Sequence, residues 1–167
     1  FRGTKVTLEY PSDLTINGVP FASLAQRVQA NLQEAGFSVD LAGSTTGTWL
    51  EKYRDGKMAF GLSLWGPDYP DPEDYLVFMP GQLVGNRVGW RAGSEPALER
   101  LAARTRRTTS DRARAPLYRQ IQQRLHQVGP YFPLIQPTQT FAATRDLGNA
   151  VFNPLYSVNV REVRPAS

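Results

Sequence analysis

The sequence predicts an α/β fold, with a mixed, mainly parallel sheet and helices on both faces. Two observations carry this reading. Hydrophobic spacing near the start of the chain runs from period two to period 3.6 and back. A later alternating run, Met58 to Leu64, leads into the helix-start signal Asp71-Pro72.

Val6, Leu8 and Tyr10 alternate with polar residues and read as a strand. Pro11 to Gly18 reads as a polar loop. Pro20 suits a first helical turn, where its missing N–H costs nothing. Phe21, Leu24, Ala25, Val28, Leu32 and Ala35 then share one helical face. Gly36 suits the position just past the helix end, and Phe37, Val39 and Leu41 give a second strand. Strand, helix and strand in succession predict a parallel, right-handed crossover.

Gly43 to Gly47 is a loop. Thr48 and Glu51 match a capping box, which opens a short helix with Trp49, Leu50 and Tyr53, ending at Gly56. Met58, Phe60, Leu62 and Leu64 form the bulky face of a third predicted strand. Ala59, Gly61 and Ser63 form its small face, and Trp65 lies at its far end. Asp71 caps the next helix, with Pro72 first and Glu73 and Asp74 complementing the dipole. Tyr75, Leu76, Phe78 and Met79 complete it, and Pro80-Gly81 ends it. Gln82 to Gly93, including Trp90, reads as an irregular connection. Ser94 is the expected cap of a helix with Leu98, Leu101 and Ala102 inward. Thr108-Thr109-Ser110 breaks it. A long helix follows from about Asp111 to Val128, with Leu117, Ile121, Leu125 and Val128 in register. Pro116 predicts a kink or a later start, and Gly129-Pro130 stops the helix.

One lobe spanning residues 1–167 is expected: an α/β core over about 1–129 and a Pro-rich tail over about 130–167. The tail holds β-type pieces at Phe132–Gln136, Thr140–Ala143 and Tyr156–Val163, expected to pack on the core or on a lobe outside this chain. No run approaches the ~18 apolar residues of a membrane span, so a soluble protein is expected. Phe1-Arg2-Gly3-Thr4 does not open a signal peptide, and the missing initial Met suggests a piece of a longer precursor.

Composition removes several chemistries. There are no cysteines and one histidine, so disulfides, zinc sites and Cys/His catalysis are not expected. His126 lies among Gln and Arg and reads as solvent-exposed. Asp71, Glu73 and Asp74 crowd one helical turn. They lack the spacing of a calcium loop or of opposed glycosidase carboxylates, so they read as cap residues. The run Arg104-Thr105-Arg106-Arg107, with Arg112 and Arg114, is the best argument for nucleic acid. It lacks interleaved aromatics and reads as a solvated helix end. The net charge of +4 permits an anionic partner without demanding one.

The stretch Trp65-Gly66-Pro67-Asp68-Tyr69-Pro70-Asp71-Pro72 places an aromatic plate and a carboxylate past the carboxyl end of a strand, where open α/β sheets bind ligands. By spacing alone, Asp68 reads as a turn residue. Trp90 and Tyr69 read equally as pocket walls or as packing.

This stretch resembles the W-x-x-D-Y-P-D-P signature of bacterial extracytoplasmic solute-binding proteins of family 5, the peptide- and nickel-binding components of ABC transporters. Three further pieces agree in order. Ala25, Val28, Gln29, Leu32, Ala35 and Gly36 match A-x-x-V-Q-x-x-L-x-x-A-G. Asp111, Arg114, Leu117 and Tyr118 match D-x-x-R-x-x-L-Y. Gly129-Pro130-Tyr131-Phe132-Pro133-Leu134 resembles G-P-Y-I-P-L. The resemblance implies the carboxyl-terminal lobe of a type II periplasmic-binding-protein-like fold. It implies no catalytic activity and no cofactor. The implied partners are a peptide or similar solute, an N-terminal lobe absent from this chain and membrane permease subunits, but not nucleic acid. The implied location is extracytoplasmic. It further implies that Asp68 pairs with the α-ammonium of a peptide, with Trp65 beside it; Tyr69 and Trp90 remain candidate ligand-binding residues on the residue reading alone. A charge-assisted bond of this kind contributes about 1.5–3 kcal/mol. The rival expectations are a solute-sensing lobe of a transcriptional regulator and a carboxylate-based hydrolase.

Overall fold

The computed structural model describes residues 2–153 and 157–166. Strand β1 (Lys5–Pro11) pairs in parallel with β4 (Ser38–Ser44), in a register running from Lys5 opposite Ser38 to Pro11 opposite Ser44. Helix α1 (Phe21–Glu34) makes the crossover. The even residues of β1 face this helix, so Leu8 meets Phe21, Ala25 and Val39 in the first core, and Leu62 joins them. Full burial of a leucine such as Leu8 contributes about 1.5–3 kcal/mol. Helix α2 (Thr46–Arg54) serves the opposite face, where Lys52 pairs with Glu9.

Helix α1 ends as its sequence predicts. The Phe37 N–H reaches the Leu32 carbonyl at 3.0 Å and the Gly36 N–H reaches Gln33 at 2.9 Å, a Schellman closure. Its start is one residue later than predicted. Pro20 is the cap residue, because it also pairs with Thr15 in a hairpin of β2 (Thr15–Ile16) and β3 (Val19–Pro20). The predicted polar loop thus contains a two-residue turn, Asn17-Gly18, with φ of 49° and 76°, the left-handed pair that an Asn-Gly hairpin requires.

Helix α2 starts at Thr46, with Thr45 rather than Thr48 as its cap. Asp13 explains the shift. Its carboxylate accepts the Thr46 N–H at 2.8 Å and the Thr46 hydroxyl at 2.6 Å, holding the first turn from 33 residues away.

The third predicted strand contributes a single parallel bridge, Glu9 to Gly61. Leu62 is buried, but Phe60 and Leu64 are 40% and 43% exposed. An alternating pattern fixes which side chains share a face; it does not supply a second strand to pair with.

A second core lies among the 3₁₀ helix Pro72–Phe78, α4 (Pro96–Arg106) and α5 (Asp111–Val128). It comprises Leu76, Met79, Leu98, Ala102 and Ile121. The connection before α4 is less irregular than predicted, because Leu83–Arg87 forms a short helix, α3. Glu95, not Ser94, precedes α4, since Pro96 occupies the first helical position and so sets the boundary. Helix α5 is continuous through Pro116. Both Pro116 and Arg112, the residue whose carbonyl loses a donor there, are exposed, so water can serve that carbonyl. Val128, predicted to face inward, is 37% exposed at the helix end.

Beyond Tyr131 the predicted β pieces Phe132–Gln136 and Thr140–Ala143 are not strands. Pro133 and Pro137 each lack a ladder donor, and among the described residues neither piece has a strand paired with it. The pairs that form are short. Strand β5 (Leu147–Gly148) pairs with β8 (Arg164–Pro165), and β6 (Phe152–Asn153) with β7 (Ser157–Val158). Tyr156, where the last predicted piece begins, lies outside the described residues. No helix among the described residues is long and apolar enough to cross a membrane.

Leu98→Ala should destabilise the protein by about 2–5 kcal/mol, because Leu98 is fully buried in the second core. Urea unfolding checks this, and a change below about 1 kcal/mol would place Leu98 outside a packed core.

Candidate functional site

The chain crosses from the first core to the second between Leu62 and Leu76. Three prolines, Pro67, Pro70 and Pro72, fix φ along this crossing. Asp74 is only 3% exposed, and its Oδ2 accepts the Asp68 N–H at 3.0 Å. The backbone of Asp68 is therefore tied inward while its side chain is exposed. No hydrogen bond or ion pair engages the Asp68 carboxylate among the described residues.

Asp71 caps the 3₁₀ helix as predicted, its Oδ1 accepting the Glu73 N–H at 2.7 Å. The same carboxylate takes a two-pronged grip from Arg114 on α5. Nη1 donates to Oδ2 at 2.9 Å, and Nη2 donates to Oδ1. Arg114 also donates to the Tyr118 hydroxyl at 2.8 Å. Arg114, then the Glu73 N–H, holds the Asp71 carboxyl below its ordinary range, and Asp71 in turn raises the guanidinium. A parallel tie runs to α4, where Arg106 meets Glu73 at 3.2 Å. Glu73 also accepts the Tyr69 hydroxyl. That bond is the main cause of the lowered Glu73 carboxyl and of a Tyr69 hydroxyl pushed up to about 12.

An aromatic wall begins at Trp65, three residues before Asp68. Trp65 meets Phe78 edge-on, with ring centroids 5.4 Å apart. Phe78 meets Tyr131 at 5.1 Å, and Tyr131 meets Trp90 at 6.0 Å, both edge-on. The Tyr131 hydroxyl donates to the Phe78 carbonyl at 3.1 Å; burial, with a smaller push from Tyr53, raises this hydroxyl. The Trp90 backbone is held at both ends. Its N–H reaches the Gly85 carbonyl at 2.8 Å, and its carbonyl accepts the Gly81 N–H at 2.9 Å. Gly85 is required sterically, since a Cβ there would lie 2.2 Å from the Met79 carbonyl oxygen.

The structure thus brings Trp65 and Trp90 into one wall, with Asp68 three residues from Trp65. Tyr69 stands apart from that wall, with its hydroxyl on Glu73. Sequence reasoning missed Phe78 and Tyr131, which join the two tryptophans. It also missed the specific tasks of Asp74 and Arg114. Tyr131 was visible only as a letter in a matched motif, and Arg114 only there and in the basic run. The three matched segments around residues 65–72, 111–118 and 129–134 meet here, through Arg114 on Asp71 and Tyr131 on Phe78. His126 is exposed, as predicted. Among the described residues no group of His, Cys, Asp or Glu is arranged to hold a metal ion. A concavity of about 90 Å³ lies behind the turn, between Tyr75, Leu76, Tyr118 and Ile121. It is apolar, lies away from Asp68, and is well below the ~300 Å³ of an ordinary ligand pocket.

The chain is 29% identical over 136 residues, 81% of its length, to Probable di/tripeptide-binding protein 5 of Pseudomonas aeruginosa. It is 26% identical over 151 residues to the nickel-binding periplasmic protein of Escherichia coli, covering 86% of this chain. It spans 26% and 28% of those two proteins' own lengths. No family model matches. Among solved structures, it superimposes on the periplasmic binding protein DppA from Helicobacter pylori, in complex with the peptide STSA, with a TM-score of 0.80. The identity there is 20%, covering 98% of this chain and 31% of that one. A dipeptide-binding protein from Pseudoalteromonas sp. SM9913 in complex with Met-Leu gives a TM-score of 0.76 at 16% identity, covering 99% of this chain and 33% of the other. The fold is that of one part of a type II periplasmic binding protein. The relatives are peptide- and nickel-binding proteins of the kind the motifs resemble, and they are binding proteins rather than enzymes.

The Asp71–Arg114 pair has a pH signature. A carboxylate held below its ordinary value of 3.8 stabilises the fold fully above that value, and loses the effect as pH falls through the depressed folded value. Asp71→Asn should therefore lower the melting temperature by a few degrees at neutral pH, the modest scale of a partly screened pair. The gap to the parent protein should close below 3.8. Melting curves across the acid range check this, and a gap that stays constant would remove the charge pairing as its cause.

Proposed function

We propose that this chain is the C-terminal ligand-binding lobe of an ABC-transporter solute-binding protein. It captures peptides or similar solutes outside the cytoplasmic membrane for import and has no catalytic activity. The observation that carries the reading is the free, exposed Asp68 carboxylate. Its backbone is pinned by buried Asp74, and the Trp65–Phe78–Tyr131–Trp90 wall begins three residues before it in the chain. A fixed acid next to aromatic faces suits an ammonium group, which gains both a charge-assisted bond and a cation-attracting surface. Similarity to di/tripeptide-binding proteins supports the same ligand class.

In this reading the rest of the binding protein supplies the opposite wall of the site and the docking surface for permease subunits. The tail over about 130–167 packs on that remainder, which fits the exposure of Phe132 (85%), Ile135, Val151 and Val160. Nickel binding is the second reading, favoured by the E. coli relative. It gains no donor set from the described residues.

Asp68→Asn in the full-length protein should weaken binding of di- and tripeptides with a free amino terminus by about 10- to 100-fold, and should spare N-acetylated ones. Titration calorimetry with both ligand sets decides this, and equal affinity of variant and parent for the free peptides would take Asp68 out of the site. The present chain by itself should bind such peptides at least 100-fold more weakly than the full-length protein, because only one wall of the site is present. Comparable affinity of the two in equilibrium dialysis would refute the two-walled site.

A further inference from the structure

The carboxylates between residues 68 and 74 are treated differently by the fold. Asp71 is gripped by Arg114, and Glu73 meets Arg106. Asp68 is exposed, whereas Asp74 is buried. Neither Asp68 nor Asp74 has a cation partner among the described residues. An acid as deep as Asp74 without a counter-charge weakens a fold, and its place in the first turn of the 3₁₀ helix offsets only part of that cost. The cap of the turn is already supplied by Asp71.

Among the described residues the Asp74 side chain has one hydrogen-bond partner, the Asp68 N–H at 3.0 Å. That bond lands on a backbone with little other freedom. The peptide unit between Pro67 and Asp68 is planar, and the Pro67 ring fixes φ on its near side. One soft angle, ψ of Pro67, then sets how the plane is turned, and the Asp74 carboxylate holds that plane by its N–H. Pro70 restricts Tyr69, so the residue after Asp68 is confined as well. Asp74 is itself anchored, because its own N–H reaches the carbonyl of Asp71 at 3.1 Å, the residue that Arg114 grips. The direction in which the Asp68 side chain leaves the backbone is thus referred, through Asp74, to α5.

We infer that Asp74 is a positioning residue for the recognition of an ammonium group, and that Pro67 shares the task. The inference rests on the peptide-capture reading above and gives a reason for a buried acid that the fold itself would be no weaker without. Asp74 acts through Asp68 rather than on the ligand. It holds the Asp68 carboxylate in the orientation from which a charge-assisted bond forms.

A structural role and a positioning role separate experimentally. Loss of a structural acid shows as instability. Loss of a positioning acid shows as lost discrimination between peptides with free and with blocked amino ends. Titration calorimetry on the full-length protein reads the second, with di- and tripeptides and their N-acetylated forms as probes, and melting curves read the first.

Asp74→Ala should weaken binding of the free peptides by about 10-fold, spare the acetylated ones, and lower the melting temperature by no more than a few degrees. Asp74→Asn, which keeps an acceptor oxygen, should recover most of the lost affinity. On an Asp68→Asn background, Asp74→Ala should weaken binding no further, since the group it positions is gone. Pro67→Gly frees the same peptide plane from its other side and should give the same selective loss, so the test stands even if Asp74→Ala misfolds. Equal loss for free and acetylated peptides overturns the inference, as do additive effects of the two aspartate changes. If Asp68→Asn weakens binding while Asp74→Ala and Pro67→Gly do not, this inference falls and the peptide reading stands. If Asp68→Asn has no effect either, both fall.

Discussion

The Asp71 carboxylate holds together two regions that the sequence places 43 residues apart. One oxygen closes the first turn of the 3₁₀ helix through the Glu73 N–H, and both oxygens are gripped by Arg114. The helix start and the docking of α5 are therefore one event. With the turn fixed, Asp74 points inward, the Asp68 backbone is captured, and the Asp68 side chain is left facing out. Tyr118 supports the guanidinium from the next turn of α5. The grip is only partly shielded from water, so its importance lies in geometry more than in energy.

The candidate site sits at the seam between two cores. Leu62 anchors one end of the crossing in the sheet, and Leu76 anchors the other among the helices. Tyr131 then reaches back from the start of the tail, and its hydroxyl donates to the Phe78 carbonyl. It links Phe78 to Trp90, and so joins the last residue of the 3₁₀ helix to one from the connection before α4. The aromatic wall thus belongs to no single element. It is the place where three separated stretches of chain pack edge to face.

Local features were legible in the sequence, and partnerships were not. The strand–helix–strand opening could be read because alternation and helical spacing are written within a few residues of each other. So could the Asp71 cap and the closure at Gly36. Cap choice failed where a distant residue decided it: Thr45 and Thr48 both had the right chemistry, and Asp13 settled the matter from another loop. The third strand shrank to one bridge because the alternation of Phe60 and Leu64 marks a face but does not say how far the segment stays alongside β1, which it meets at Glu9 alone. At the site, the motif letters identified Trp65 and Asp68. The links through Phe78 and Tyr131 needed a view across the fold, as did the engagement of Tyr69 by Glu73.

Three prolines within six residues, Pro67, Pro70 and Pro72, have a thermodynamic consequence for whatever Asp68 meets. Their rings narrow the conformations of this loop in the unfolded chain as well as in the folded one. Most of the entropy needed to order the loop is thus surrendered during folding, and little is left to lose when a ligand arrives. A complex formed on such a loop keeps more of its contact energy as net affinity than one formed on a slack loop carrying the same acid.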